Sequence, residues 1–197
     1  DRFGYFVEVR DLDGDGSDDL VCSAPYADGP GDDQGDCGEV FIFKGGPASS
    51  FPERADAESR FDLMVLGPAG TEGYGSKLGL MVRFGDVTGD GEDDLVAGLI
   101  DMNLPPSGTD IRTDAGIVLV YDHLSVLGQA QGAVQLTYPS KLFTLEGMNI
   151  EDGLGYHISV GDVDNDGIGD LLVSAPNADG VNDTRPRCGE AYIIYST

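Results

Sequence analysis

The chain has 197 residues, 40% of them hydrophobic, which is enough to bury a core and excludes a disordered chain. Thirty glycines and ten prolines without a Gly-X-Y period exclude collagen and favour short strands joined by tight turns. Eleven basic against 36 acidic residues give a formal charge of -25, which sets the chain against nucleic acid and anionic membrane surfaces and makes cations its natural counterpart.

The first repeat opens at Phe3 with FGYFVEVRDLDGDGSDDLVCSAP, ending at Pro25. It continues through a polar loop, Tyr26 to Asp36, into CGEVFIF from Cys37 and the apolar run FDLMVL from Phe61. Four short strands with turn signals between them, and no sustained 3.6-residue period, make this an antiparallel unit.

The second repeat, LGLMVRFGDVTGDGEDDLVAGLI from Leu78 to Ile100, aligns with the first without gaps. After the loop Asp101 to Asp114 follow AGIVLVY from Ala115 and LFTLEG from Leu142. The third, LGYHISVGDVDNDGIGDLLVSAP from Leu154 to Pro176, leads through Asn177 to Arg187 into CGEAYII from Cys188. The three starts lie 75 and 76 residues apart, and the units read as residues 1–67, 68–147 and 148–197.

A four-stranded antiparallel unit repeated head to tail is the pattern of β-propeller blades, so the fold class is all-β. Three blades cannot close a ring. The third unit also ends without an outer strand, so the strand at 189–195 is expected to need further blades or a second chain to cover its open edge.

Each repeat carries an Asp-rich nonapeptide between its first two strands: Asp11 to Asp19, Asp86 to Asp94 and Asp162 to Asp170. Positions 1, 3, 5 and 9 offer side-chain oxygens: Asp11, Asp13, Asp15 and Asp19; Asp86, Thr88, Asp90 and Asp94; Asp162, Asp164, Asp166 and Asp170. Position 7 is Ser17, Glu92 or Ile168, so its backbone carbonyl is the natural further ligand. Hard oxygens on alternate residues of a tight turn suit Ca2+, whereas Mg2+ prefers a rigid octahedron with retained waters.

Gly16, Gly91 and Gly167 at position 6 permit the sharp turn, and Leu12, Val87 and Val163 at position 2 are expected to point into the blade. The EF-hand alternative fails because position 12 is Cys22, Ala97 or Val173 instead of Glu, and a strand follows instead of a helix. Dockerin-type loops lie much closer together than these. Thr88 replaces an aspartate, so the second site is expected to bind most weakly.

These residues resemble the FG-GAP repeat of integrin α-subunits and related proteins. Phe3-Gly4 and Leu154-Gly155 stand for its FG element, Ser23-Ala24-Pro25 and Ser174-Ala175-Pro176 for its GAP element, with the aspartate loops between them. The middle copy departs: its FG is Tyr74-Gly75 or Leu78-Gly79, and Gly98-Leu99-Ile100 lacks the proline. The resemblance implies a propeller of about seven blades, calcium loops that stabilise one face, and ligand-binding loops on the other.

That opposite face would present residues 26–36, 101–114 and 177–187 to a protein or glycan ligand. The function so implied is an extracellular, calcium-stiffened adhesion or recognition scaffold without catalysis of its own. Alternatives are the propeller portion of a secreted hydrolase or lyase, or a structural stalk or surface-layer component.

Catalysis has few candidates, because the two histidines are His123, in a turn, and His157, placed inside an inner strand. No nucleophile elbow, phosphate loop or zinc pattern occurs. Of the three cysteines, Cys37 and Cys188 hold matching places in two repeats, and each is read as a semi-buried strand-start residue before half of a disulfide pair. Asn182 in Asn-Asp-Thr is a glycosylation pattern of low specificity. No apolar run approaches a membrane span, and the N-terminus does not read as a signal peptide, so the signal of a secreted protein would lie upstream or have been removed.

Overall fold

A computed structural model describes residues 1–47, 61–68, 75–104, 112–122, 132–135 and 143–197. They form three antiparallel sheets stacked face to face. β1 (Val7–Arg10), β2 (Asp19–Ala24), β3 (Glu39–Phe43) and β4 (Leu63–Leu66) pair in sequence order. β5 (Met81–Gly85), β6 (Asp94–Leu99), β7 (Ile117–Tyr121) and β9 (Phe143–Glu146) make the second sheet. β10 (Ile158–Gly161), β11 (Asp170–Ala175) and β12 (Glu190–Ile194) make the third. Among the described residues the one helical element is a 3-10 turn at Val181–Asp183, so the all-β class and the blade architecture hold.

The alternation of side chains along these strands explains the stacking. In β6 and β7, Leu95, Ala97, Leu99, Ile117, Leu119 and Tyr121 turn toward the first sheet and meet Val21, Val40, Ile42 and Val65. The intervening Val96, Val118 and Val120 turn the other way, onto Ile158, Leu171 and Val173 of the third sheet. A middle blade is thus buried on both faces, and each fully buried aliphatic side chain contributes roughly 1.5–3 kcal/mol.

The FG and GAP elements meet at these interfaces. The Ser23 hydroxyl donates to the Gly79 carbonyl across the first interface at 2.8 Å. At the second interface the matching residue is Gly98, where any Cβ would collide with the Gly155 carbonyl. Gly4, Gly79 and Gly155 all sit at positive φ (85°, 103° and 91°), which places Leu78-Gly79 as the FG counterpart of the middle copy. Tyr74, the alternative start, lies outside the described residues.

Leu78 N donates to Cys37 O at 3.0 Å and Leu154 N to Ala115 O at 2.9 Å, so one inter-blade hydrogen bond occurs at both interfaces.

Two features depart from three equal blades. A fifth strand, β8 (Gly132–Gln135), comes from the segment between β7 and β9 and crosses back to pair in parallel with β4 of the first sheet. Side-chain alternation carries no information about such a parallel addition from the next repeat.

Parts of the terminal faces are also exposed, although on the outer face of the first sheet Ala24, Phe41, Met64 and Leu66 are buried in a cluster of their own. Val82 and Phe84 are 0% and 3% exposed, but their first-repeat counterparts Val7 and Val9 are 55% and 62%. Val96 and Val120 are both 0% exposed, against 46% and 49% for Leu172 and Ile193 in the third repeat. Val163 is exposed for the same reason, unlike Leu12 and Val87, and so does not point into packed protein. Leu12 and Val87 face the next blade, and among the described residues no further sheet covers the third one's outer face.

Candidate metal centre

Each aspartate loop joins the two inner strands of its sheet and takes one backbone shape three times. Asp11, Asp86 and Asp162 accept from the position-6 amides of Gly16, Gly91 and Gly167 at 2.9, 2.8 and 3.0 Å. Asp15, Asp90 and Asp166 accept from the position-7 amides of Ser17, Glu92 and Ile168 at 2.7, 2.9 and 2.8 Å. The position-6 glycines have φ of 89°, 91° and 92°, a left-handed turn that a Cβ would strain.

The ninth residue does different work. Asp19, Asp94 and Asp170 are buried, and each accepts from the position-2 amide, Leu12, Val87 or Val163, at 2.9, 3.0 and 2.7 Å. The second oxygen of Asp19 accepts from Gly45 N at 2.7 Å, and that of Asp170 from Ser196 N at 3.0 Å. The position-9 carboxylate therefore also pins the end of the third strand to the loop, a role that spacing alone did not suggest.

Carboxylate oxygens converge in two loops. One oxygen from each of Asp11, Asp13 and Asp15 lies within 4.8 Å of the others, and the same holds for Asp162, Asp164 and Asp166. Thr88 leaves the second loop with Asp86 and Asp90 at these places, and among the described residues no such trio forms there.

Asp164 is held above the usual carboxylate range, by desolvation first and then by the neighbouring charges of Asp166, Asp170 and Asp162. Asp11 Oδ1 is buried and finds no hydrogen-bond partner among the described residues. An orphaned anionic oxygen beside two more carboxylates fits a hard cation, and an all-oxygen donor set fits Ca2+.

Of the position-7 residues, the Ile168 side chain rests near Gly89 of the preceding loop, its Cδ1 2.9 Å from where a Cβ there would sit. Ser17 sits in the same way beside Gly45. The Ile168 side chain has no oxygen, which leaves its carbonyl as what position 7 of the third loop can offer a cation.

The opposite ends of the second strands carry the β2–β3, β6–β7 and β11–β12 connections. Asp28 and Asp179 organise the first and third alike. Asp28 accepts from Asp36 N and Asp179 from Arg187 N, each at 2.7 Å, and Gly38 N and Gly189 N return to Ala27 O and Ala178 O. Loops with dissimilar side chains thus share one backbone, with Asp32, Asp33 and Asp36 in the first where the third has Asp183, Thr184 and Arg187. Residues 105–111 of the middle loop lie outside the described residues.

His157 is exposed and directly precedes β10 instead of lying within an inner strand, and its ring meets Tyr156 edge-on at 5.1 Å. His123 lies outside the described residues. Cys22, Cys37 and Cys188 are free thiols, and Asn182 is exposed at φ 60°. Among the described residues no helix is long and apolar enough to cross a membrane.

The FG-GAP repeat family model matches residues 3–42 and 154–186. A phosphatidylinositol-glycan-specific phospholipase D of Dictyostelium discoideum is 26% identical over 99% of this chain and 20% of its own length. The Mus musculus protein of that name is 31% identical over 91% of this chain and 19% of its own. Integrin alpha-PS3 of Drosophila melanogaster is 30% identical over 91% of this chain and 14% of its own. The chain spans about a fifth of the length of the phospholipase relatives it matches. With the FG and GAP elements meeting across two blade interfaces and an aspartate loop in each sheet, the chain is built of FG-GAP repeats, which form β-propeller blades, and is similar in them to an integrin alpha chain.

Proposed function

We propose that this chain is a non-catalytic propeller scaffold whose aspartate loops hold Ca2+ and thereby stiffen the blades for recognition outside the cell. The observation that carries the reading is the carboxylate trio of the first loop, with Asp11 Oδ1 unpartnered, and its counterpart in the third. Asp11, Asp13, Asp15 and Asp19, with the Ser17 carbonyl, would hold the first ion. Asp162, Asp164, Asp166 and Asp170, with the Ile168 carbonyl, would hold the third. Asp86, Thr88, Asp90 and Asp94, with the Glu92 carbonyl, would hold the second and weakest. When bound, the ion neutralises like charges that the turn brings together.

The reading extends to partners. Val7 and Val9 on the first sheet and Leu172 and Ile193 on the third are exposed where their counterparts are buried at the internal interfaces, which supports further blades, or a second chain, on either side. The blades would follow residues 1–67, 68–147 and 148–197. The loops opposite the aspartate turns are the surface for a protein or glycan.

Melting with and without chelator tests the metal claim. At 100-fold excess over Kd each site adds about 2.7 kcal/mol to a protein that binds only when folded. A saturated site should raise the midpoint by roughly 5–10 °C in a chain of this size. Identical melting in calcium and in chelator would remove the reading.

A second reading is favoured by the relatives that are phospholipases by name: the same scaffold joined to a catalytic domain in a longer chain. Extending the sequence on both sides separates the two, and a binding panel of glycans and matrix proteins, with and without chelator, tests recognition directly.

A further inference from the structure

The first loop contains a cation of its own. Lys44 follows β3 directly, and its ammonium donates to Asp13 Oδ2 at 2.8 Å. Asp13 is one of the three carboxylates that converge in that loop. The Lys44 backbone amide donates to Asp62 Oδ2 at 2.8 Å, and the next amide, Gly45 N, donates to Asp19 at 2.7 Å. The backbone that carries the side chain is therefore anchored to Asp62, just before the outer strand, and to the loop.

The same place in the other repeats follows from register. Leu20, Leu95 and Leu171 pair with Phe43, Tyr121 and Ile194, so the next residues are Lys44, Asp122 and Tyr195. Ser196 N bonds Asp170 just as Gly45 N bonds Asp19, which puts Tyr195 where Lys44 stands. A positive charge occupies this position in the first repeat alone.

We propose, resting on the calcium reading above, that Lys44 is a built-in counter-cation that sets the calcium affinity of the first loop below that of the third. Its ammonium neutralises one of the carboxylates the ion needs and repels the ion itself. Binding in the first loop must displace Lys44 from Asp13 or share the carboxylate with it, whereas Tyr195 imposes no such competition. The lysine also holds the first loop closed at low calcium, so the two loops differ in how much they depend on the ion.

A calcium titration followed by NMR resolves the sites, because the Gly16 and Gly167 amides each donate to the first aspartate of their own loop. In the unmodified protein Gly167 should reach half-saturation at lower calcium than Gly16. An exposed ion pair of this kind corresponds to a change of about two- to fivefold. Lys44→Met should lower the Gly16 midpoint by that factor and leave Gly167 unmoved, and Lys44→Gln should reproduce the effect if the methionine variant does not fold.

Tyr195→Lys should raise the Gly167 midpoint in return. If Gly16 still titrates with calcium but its midpoint is unchanged in the Lys44 variants, the lysine has no such role. If neither glycine responds to calcium in any form, the metal reading falls and this proposal with it.

Discussion

Asp19→Ala separates the structural role of the ninth loop position from its role as a ligand. The side chain is buried and accepts from two backbone amides, Leu12 N at 2.9 Å inside the protein and Gly45 N at 2.7 Å nearer its edge. Hydrogen bonds to a charged partner contribute about 1.5–3 kcal/mol each, and a buried donor left without a partner costs its full desolvation. Because Gly45 N can recover some bonding to water, we place the loss at roughly 3–5 kcal/mol. For a chain of this size that lowers the melting midpoint by about 10 °C.

The measurement is thermal unfolding in excess chelator, where no ion contributes. Asp15→Ala is the contrast, since the Asp15 side chain is exposed and accepts from the Ser17 amide two residues on. Its effect in chelator should stay below about 1 kcal/mol and grow only when calcium is present. If Asp19→Ala melts within about 2 °C of the unmodified protein in chelator, the two amides are satisfied in some other way and the assignment of a pinning role is wrong.

Other consequences follow from the interfaces and thiols. Gly98→Ala should destabilise by about 1–3 kcal/mol in denaturant unfolding, because its Cβ meets the Gly155 carbonyl, while Gly161→Ala, with open space around it, should change little. In the native protein at pH 8, Cys188 alone should react rapidly with a disulfide reagent, since Cys22 and Cys37 are buried. Three thiols should react after denaturation, and Cys188→Ser should abolish the fast phase. Burial, aided by the Glu39 and Asp28 charges, pushes the Cys37 thiol from 9.0 up to about 11. The folded form therefore keeps its proton where the unfolded chain has lost it. That stabilisation is full below about pH 9 and is lost as pH rises through about 11, a slope that Cys37→Ala should flatten in pH-dependent melts.

The aspartate loops were legible in the sequence because they are local. Their hydrogen bonds join residues two to seven apart, such as Ser17 to Asp15 and Leu12 to Asp19, so nine contiguous residues specify the turn. The strands were legible for a related reason, as period-two alternation marks a strand wherever it pairs. The expected outer strands at residues 61–66 and 142–147 correspond to β4 and β9. The shared backbone of the loops at 26–36 and 177–187 was also readable, from the aligned Asp28 and Asp179, even though their other side chains differ.

The sequence by itself determined the repeat, the strand order within each sheet and the oxygen-rich turns. Long-range contacts were decided only by the tertiary structure: between repeats, the parallel pairing of β8 with β4 and the Ser23 bond to Gly79 across 56 residues, and within the first repeat, the Lys44 bond to Asp13 across 31. The exposure of Val163 belongs with them, since it depends on whether a neighbouring sheet is present, whatever the residue's own chemistry. A periodic pattern states which face of a strand is apolar, but what covers that face is set by the packing of whole sheets.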